Sequence, residues 1–266
     1  MEVKIPFTKY TFQSEYSEKE LKYRAILSRD SLFFGCFNLE NKLIHLDSID
    51  VDKVELSAKK NSNKFKSKVV AFNNPLFSFF TRRDYKAFDK ESLFKFQHGL
   101  NQIGRYNIYD DSIDNPNLKV SYAIPKKMIK SIKREIGDFI PVHYQTIFLS
   151  QNKVTSTQES VFISLLGTNL NISLWKYGDL VLSNSYRVHN ESDFYYYVAL
   201  LFDQFNLVKG RTKFYIDGEL SKVKFDLSRF VQYFALSKTD VEVYNETKSV
   251  SMPLINLNRC ASLVEA

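Results

Sequence analysis

The sequence predicts an α/β protein in which one plan, a meander of strands continued by helix-connected strands, is laid down twice. Three observations predict it. Between residues 160 and 244, strand-like runs with alternating apolar positions give way to segments whose apolar residues recur every three or four positions. Between residues 22 and 72, three strand-like runs joined by short turns come again in a less complete form. Gly (8) and Pro (6) are few for 266 residues, while 23 Phe and 16 Tyr supply the volume of a large core, so disordered, collagen-like and disulfide-framework chains are excluded.

The second half reads most clearly. Residues 160–166 form an apolar run ended by Gly167. Leu170, Ile172 and Leu174 then alternate with Asn171, Ser173 and Trp175, the period of a half-buried strand. Tyr177-Gly178-Asp179 is a turn into Leu180-Val181-Leu182. Asn190 or Ser192 can cap a helix whose apolar face is Phe194, Tyr197, Val198, Leu201, Phe202 and Phe205. Tyr195 and Tyr196 fall beside that face. A strand from Lys213 to Asp217 is broken by Gly218; a helix carrying Leu227, Phe230, Val231 and Phe234 leads to a strand from Asp240 to Tyr244. Three strands, helix, strand, helix, strand is the order of a ribonuclease-H-like unit.

In the first half the runs 22–29, 31–38 and 41–47 read as a meander, Val69–Phe72 as a later strand and Leu118–Ile124 as another. Pro125 opens a helix with Met128, Ile129, Ile132 and Ile136 on one face and basic residues on the other. We expect the division at 1–140 and 141–266. The fold class is then α/β, two ribonuclease-H-like halves with mixed sheets.

The charge is uneven. Of the 37 basic and 30 acidic residues, 25 and 18 fall in positions 1–150, so the whole net charge of +7 lies there. It gathers at Lys53, Lys59, Lys60, Lys64, Lys66 and Lys68, at Arg82-Arg83, and at Lys126, Lys127, Lys130, Lys133 and Arg134. Such a patch can neutralise phosphates, although a lysine run in an Asn/Ser-rich stretch also reads as a solvated loop. Cys36 sits in an apolar run and Cys260 lies far from it; neither forms a redox or zinc pattern. With no apolar leader and no long apolar stretch, the expectation is a reduced, cytoplasmic protein that does not insert into membranes.

Several segments together resemble the bacterial domain-of-unknown-function family 3822: NNPLFSFF at 73–80, YAIPKKMIKSI at 122–132, VHYQTIFLS at 142–150, and the run from Val161 through SNSYRVHNESDFYYYVALLFDQF to Asp217-Gly218. Families of this kind look similar to the actin-like ATPase superfamily, and pilus-assembly relatives are a close analogue. The resemblance implies a fold, α/β with two ribonuclease-H-like (actin-like) halves with mixed sheets around a cleft, and no established activity.

Actin-like ATPases carry an Asp-x-Gly turn after the first strand to organise metal and phosphate. Here the position before Gly167 that would hold the Asp is Leu165. The first-half strand 24–28 has no carboxylate, and Asp30 reads as a turn residue. The second signature survives only as Asp217-Gly218-Glu219, with one Gly. Gly167, Asp217 and Gly218 are therefore the remnant of a nucleotide cleft, and a magnesium–phosphate site without hard oxygen ligands lacks its main charge stabiliser. A ribonuclease-H nuclease would need a first-strand acid that is missing, leaving Asp193 and Asp217 as a helix-start and a turn residue. His45, His98, His143 and His189 form no metal motif, and no phosphate loop or nucleophile elbow is present.

The expectation is a catalytically degenerate actin-like protein acting as a protein-binding or scaffolding module, with no catalytic residue, metal or cofactor. Its partner-binding candidates are Phe77, Phe79, Phe80, Arg82 and Arg83, aromatic and Arg types enriched at interface hot spots; the same Phe cluster can equally be a strand end in the core. Two alternatives stay open: a nucleotide-binding actin-like ATPase, and a nucleic-acid-associated protein using Lys126, Lys127, Lys130 and Arg134 for weak contacts.

Overall fold

The computed structural model describes residues 21–29, 31–50, 65–81, 83–86, 89–150, 157–208, 210–243, 253 and 256–258. The chain divides into two units, one of Met1–Ser150 with Leu254–Ala266, the other of Gln151–Pro253.

Unit 1 begins with the expected meander, β1 (Lys22–Leu27), β2 (Ser31–Phe37) and β3 (Leu43–Asp50), with β1–β2 and β2–β3 antiparallel. β4 (Ser67–Phe72) runs parallel to β1, and β8 (Ile140–His143) runs parallel to β4. The sheet order is therefore β3-β2-β1-β4-β8. Between β4 and β8 the chain makes a separate three-stranded antiparallel sheet ordered β5-β7-β6, from β5 (Phe77–Thr81), β6 (Tyr106–Ile113) and β7 (Leu118–Pro125). The sequence reading located β7 alone of these. α1 (Lys90–His98) starts at Asp89, whose carboxylate accepts from the amides of Glu91 and Ser92.

α2 (Lys126–Ile136) follows Pro125 and buries Ile129, Ile132 and Ile136 against the strand residues Tyr23, Val70 and Tyr122. Cys36 belongs to the same apolar cluster, 2% exposed, as a thiol used for its bulk. α3 (Tyr144–Ser150) is buried along almost its whole length. Arg24, alternate to the apolar residues of β1, is fully buried; its Nε donates to Asn258 Oδ1 at 3.0 Å and one terminal nitrogen donates to Ser67 Oγ at 3.0 Å. That contact ties the C-terminal segment to unit 1.

Unit 2 repeats the plan. β9 (Glu159–Leu166), β10 (Asn169–Lys176) and β11 (Asp179–Arg187) form the meander, and β12 (Thr212–Gly218) and β13 (Val241–Val243) extend it in parallel on the other side of β9. The order β11-β10-β9-β12-β13, with the same parallel and antiparallel pairs, matches that of unit 1 strand for strand. α4 (Glu191–Phe205) is capped as expected: Asn190 Oδ1 accepts from the Asp193 amide at 2.9 Å, and Asp193 Oδ2 accepts from the His189 amide at 2.8 Å. α5 (Leu227–Tyr233) is capped by Asp226.

One face of this sheet, with Val161, Ile163, Leu165, Leu170, Ile172, Leu174, Phe214 and Ile216, packs under Phe194, Val198 and Leu201 of α4 and Phe230 of α5. Helical spacing left Tyr195 beside the apolar face. It is 8% exposed, because Phe230 and Phe234 pack against its ring, at centroid distances of 6.1 and 6.0 Å. Tyr196 is the exposed one at 61%, and Tyr197 stacks on Tyr186 of β11 at 4.3 Å. No helix among the described residues is long and apolar enough to cross a membrane.

Candidate functional site

The carboxyl ends of the central parallel strands are where open α/β sheets bind ligands, at the point where successive strands depart to opposite sides. In unit 2 that point lies between β9 and β12, which brings Gly167, Asp217 and Gly218 together. Gly218 has φ +99° and faces Leu165 across the ladder; a Cβ on it would lie 2.0 Å from the Leu165 carbonyl oxygen. Only glycine lets the two backbones come so close.

The next residue completes the arrangement. The Glu219 amide donates to the Leu165 carbonyl at 2.7 Å, and its side-chain Oε2 accepts from the Gly167 amide at 2.8 Å, while Lys222 pairs with the same oxygen at 3.1 Å. A carboxylate from 52 residues away thus holds the β9–β10 turn. Leu165 is fully buried in the apolar cluster, so the position expected to bear the missing acid points into the core. Asp217 stands beside Ser164, which hydrogen-bonds to it, and its Oδ1 is buried without a hydrogen-bond partner. Burial pushes this carboxyl up to about 7, against the opposing effect of the Ser164 bond.

Unit 1 has the same device in neutral form. The Asn73 amide donates to the Leu27 carbonyl at 2.9 Å, and its side-chain Nδ2 donates to Ser28 Oγ at 3.0 Å. The residue after the second parallel strand therefore fastens the turn in both units, by an amide in one and a carboxylate in the other. Asp30 lies outside the described residues, as do Lys53, Lys59, Lys60, Lys64, Arg82, Tyr244 and Cys260.

A second polar cluster was not legible in the sequence. Asp111 of β6 accepts from the His143 amide at 2.7 Å and from Thr146 Oγ1 at 2.7 Å, and so caps the start of α3. Tyr122 donates to its other oxygen at 3.2 Å. His143 Nδ1 accepts from the Gln145 amide at 3.2 Å, so the ring proton is on Nε2, 3.0 Å from the Asn74 carbonyl. Burial pushes Asp111 up to about 6 and His143 down to about 3. Every atom of this cluster that chemistry would use is committed to the fold.

Of the aromatic candidates, Phe80 is 8% exposed and meets the Tyr85 ring edge-on, whereas Phe77 and Phe79 are half-buried. Phe77 packs on the His143 ring at 4.7 Å. Arg83 is exposed. Lys126, Lys127, Lys130 and Arg134 are exposed along α2; Arg134 contacts Glu135 at 3.2 Å and Lys133 contacts Asp138 at 2.9 Å. The four histidines stand on separate elements, and no group of acidic, His or Cys side chains able to hold a metal occurs among the described residues.

Residues 9–235 match the family model described as protein of unknown function (DUF3822), and the chain belongs to that family. No curated protein matches the sequence. Among solved structures the chain is similar to a Bacteroides thetaiotaomicron protein with an actin-like ATPase fold and unknown function, with TM-score 0.71 and 16% identity over 91% of this chain and 97% of that one. It is also similar to a chain of the PilM-PilN type IV pilus biogenesis complex, with TM-score 0.55 and 8% identity over 90% and 98%. The fold is actin-like, two mixed five-stranded sheets on one plan.

Proposed function

We propose that this chain is a catalytically degenerate actin-like protein of the cytoplasm that binds or scaffolds a protein partner and does not turn over ATP. The observation that carries the reading is the bond from the Gly167 amide to the Glu219 carboxylate, 2.8 Å long. A turn amide is the donor a phosphate oxygen would need there, and this one is already taken by an anion that would repel a second. Leu165, buried in apolar surroundings, supports it, since a carboxylate at that position would have no water and no cation beside it. The partner surface we assign is β5 and the residues after it, with Arg83 exposed, Phe77 and Phe79 half-buried and Phe80 buried; Arg82, the fifth candidate, lies outside the described residues. A structural relative that is solved as part of a two-protein complex supports a protein partner, though not this particular surface, by fold-level analogy.

The test is thermal unfolding and phosphate release with magnesium and ATP. Ligand at a hundred times its dissociation constant stabilises a fold by about 2.7 kcal/mol, a clear melting shift. We expect neither a shift nor turnover above background; a shift of that size accompanied by phosphate release refutes the reading. The double variant Phe79→Ser, Arg83→Ser should keep the melting temperature and lose the partner.

A further inference from the structure

We propose that the exposed basic face of α2 lies against the anionic surface of a lipid bilayer and holds this chain there reversibly, by charge alone. Side chains of an α-helix succeed one another by about 100°, so Lys126, Lys127, Lys130, Lys133 and Arg134 fall within a sector of about 120°, over about 12 Å of helix. All five are exposed. Lys133 contacts Asp138 at 2.9 Å and Arg134 contacts Glu135 at 3.2 Å, whereas Lys126, Lys127 and Lys130 have no ion-pair partner among the described residues. Lys126 and Lys127 also stand in the first turn of the helix, which carries no acidic residue and no side-chain cap. The helix dipole disfavours cations at that end. Two lysines there work against the helix in the isolated chain, and an anionic surface opposite them removes that penalty.

The composition of the face selects its occupant. Its exposed sector is lysine and arginine throughout, with no aromatic residue, whereas the cores of protein–protein contacts are depleted of lysine and rich in aromatics. Sequence readout of nucleic acid asks for Arg, Asn or Gln set against base edges, and the one Arg here is engaged with Glu135. Lysines and arginines presented on one helix face, about four to eight together, match the diffuse negative charge of phosphate- and carboxylate-bearing lipid headgroups. The opposite face is closed to a membrane: Ile129, Ile132 and Ile136 are fixed in the core with Tyr23, Val70 and Tyr122. α2 therefore cannot roll to insert an apolar stripe among acyl chains, and its contact is confined to the headgroups. Charges facing one another across solvent act over about 8 Å at physiological salt, so such a contact is salt-sensitive.

Co-sedimentation of the full chain with vesicles of phosphatidylcholine alone, and of phosphatidylcholine mixed with phosphatidylserine, tests this. The chain should pellet with the mixed vesicles at low salt, stay in solution with phosphatidylcholine alone, and be released as salt is raised. Lys126→Glu, Lys127→Glu and Lys130→Glu together should weaken the association by about a hundredfold. Acids in the first turn suit the helix dipole, so this variant should not melt at a lower temperature. The triple variant Lys42→Glu, Lys95→Glu, Lys238→Glu makes the same change in net charge at exposed positions off this helix and should keep most of the binding. Equal loss from both triple variants overturns the proposal, because net charge alone would then account for the binding. A chain that ignores the anionic vesicles overturns it as well. So does one that a mixed-sequence oligonucleotide at equal phosphate strips from them, a result that assigns α2 to nucleic acid instead.

Discussion

Replacing Asp217 by Asn should remove the loss of stability with rising pH that this carboxyl at the β9–β12 junction imposes. The carboxyl is held at about 7 in the folded chain by burial, with Oδ1 lacking any hydrogen-bond partner, against an ordinary value of 3.8. A raised acid favours the folded state most where it is protonated. Its contribution is therefore intact below pH 4, falls as pH rises from about 4 to about 7, and is flat above that. At about 1.4 kcal/mol for each unit, a shift of roughly three units is worth about 4 kcal/mol; screening over the exposed part of the residue brings this to about 2–4 kcal/mol. Asn cannot titrate, and its amide leaves an unpaired donor where Oδ1 stood, so at pH 4 the variant should be no more stable than the wild type. By pH 8 it should be the more stable of the two, the difference having moved by about 2–4 kcal/mol. Urea unfolding of both full-length proteins at intervals between these pH values reads that difference directly. Asp111 and His143 titrate in both chains and cancel. A difference constant across the range, or one that moves in favour of the wild type as pH rises, refutes the reasoning.

Gly218→Ala should destabilise by more than about 3 kcal/mol, measured as a loss in denaturation midpoint, because a Cβ at φ +99° would lie 2.0 Å from the Leu165 carbonyl oxygen. Asp111→Ala strands the His143 amide and the Thr146 hydroxyl, while the Tyr122 hydroxyl keeps the Pro141 carbonyl at 3.0 Å; we expect a loss of about 2–4 kcal/mol and faster amide exchange across α3, with Asp111→Asn much milder. Any oligonucleotide binding should be weak, about 10⁻⁴–10⁻⁶ M at physiological salt, and the triple variant Lys126→Gln, Lys127→Gln, Lys130→Gln should flatten its salt slope by up to about three counterions. Tight, salt-resistant binding would count instead for a nucleic-acid role.

Much of the fold is local and was written in the sequence. Alternating runs and tight turns set β1–β3 and β9–β11, Asn190 and Asp193 fixed the start of α4, and Pro125 fixed that of α2, because each depends on residues within a turn or two of one another. What escaped depends on partners far along the chain. β5 and β6 are strands because β7 lies between them, and Phe77, which the sequence offered as a partner-binding candidate or a strand end, packs on the His143 ring. Leu165 was legible as a missing acid. That its side chain lies in the apolar core, and that Glu219 holds the Gly167 amide in the place of a ligand, required β12 to be laid beside β9. Tyr195 likewise turned from flank to core only when α5 packed beside α4. Sequence determines which face of an element is apolar, since that is a matter of local period; tertiary structure alone decides which buried polar atoms find a partner, since hydrogen bonds act over about 3 Å in space and take no account of distance along the chain.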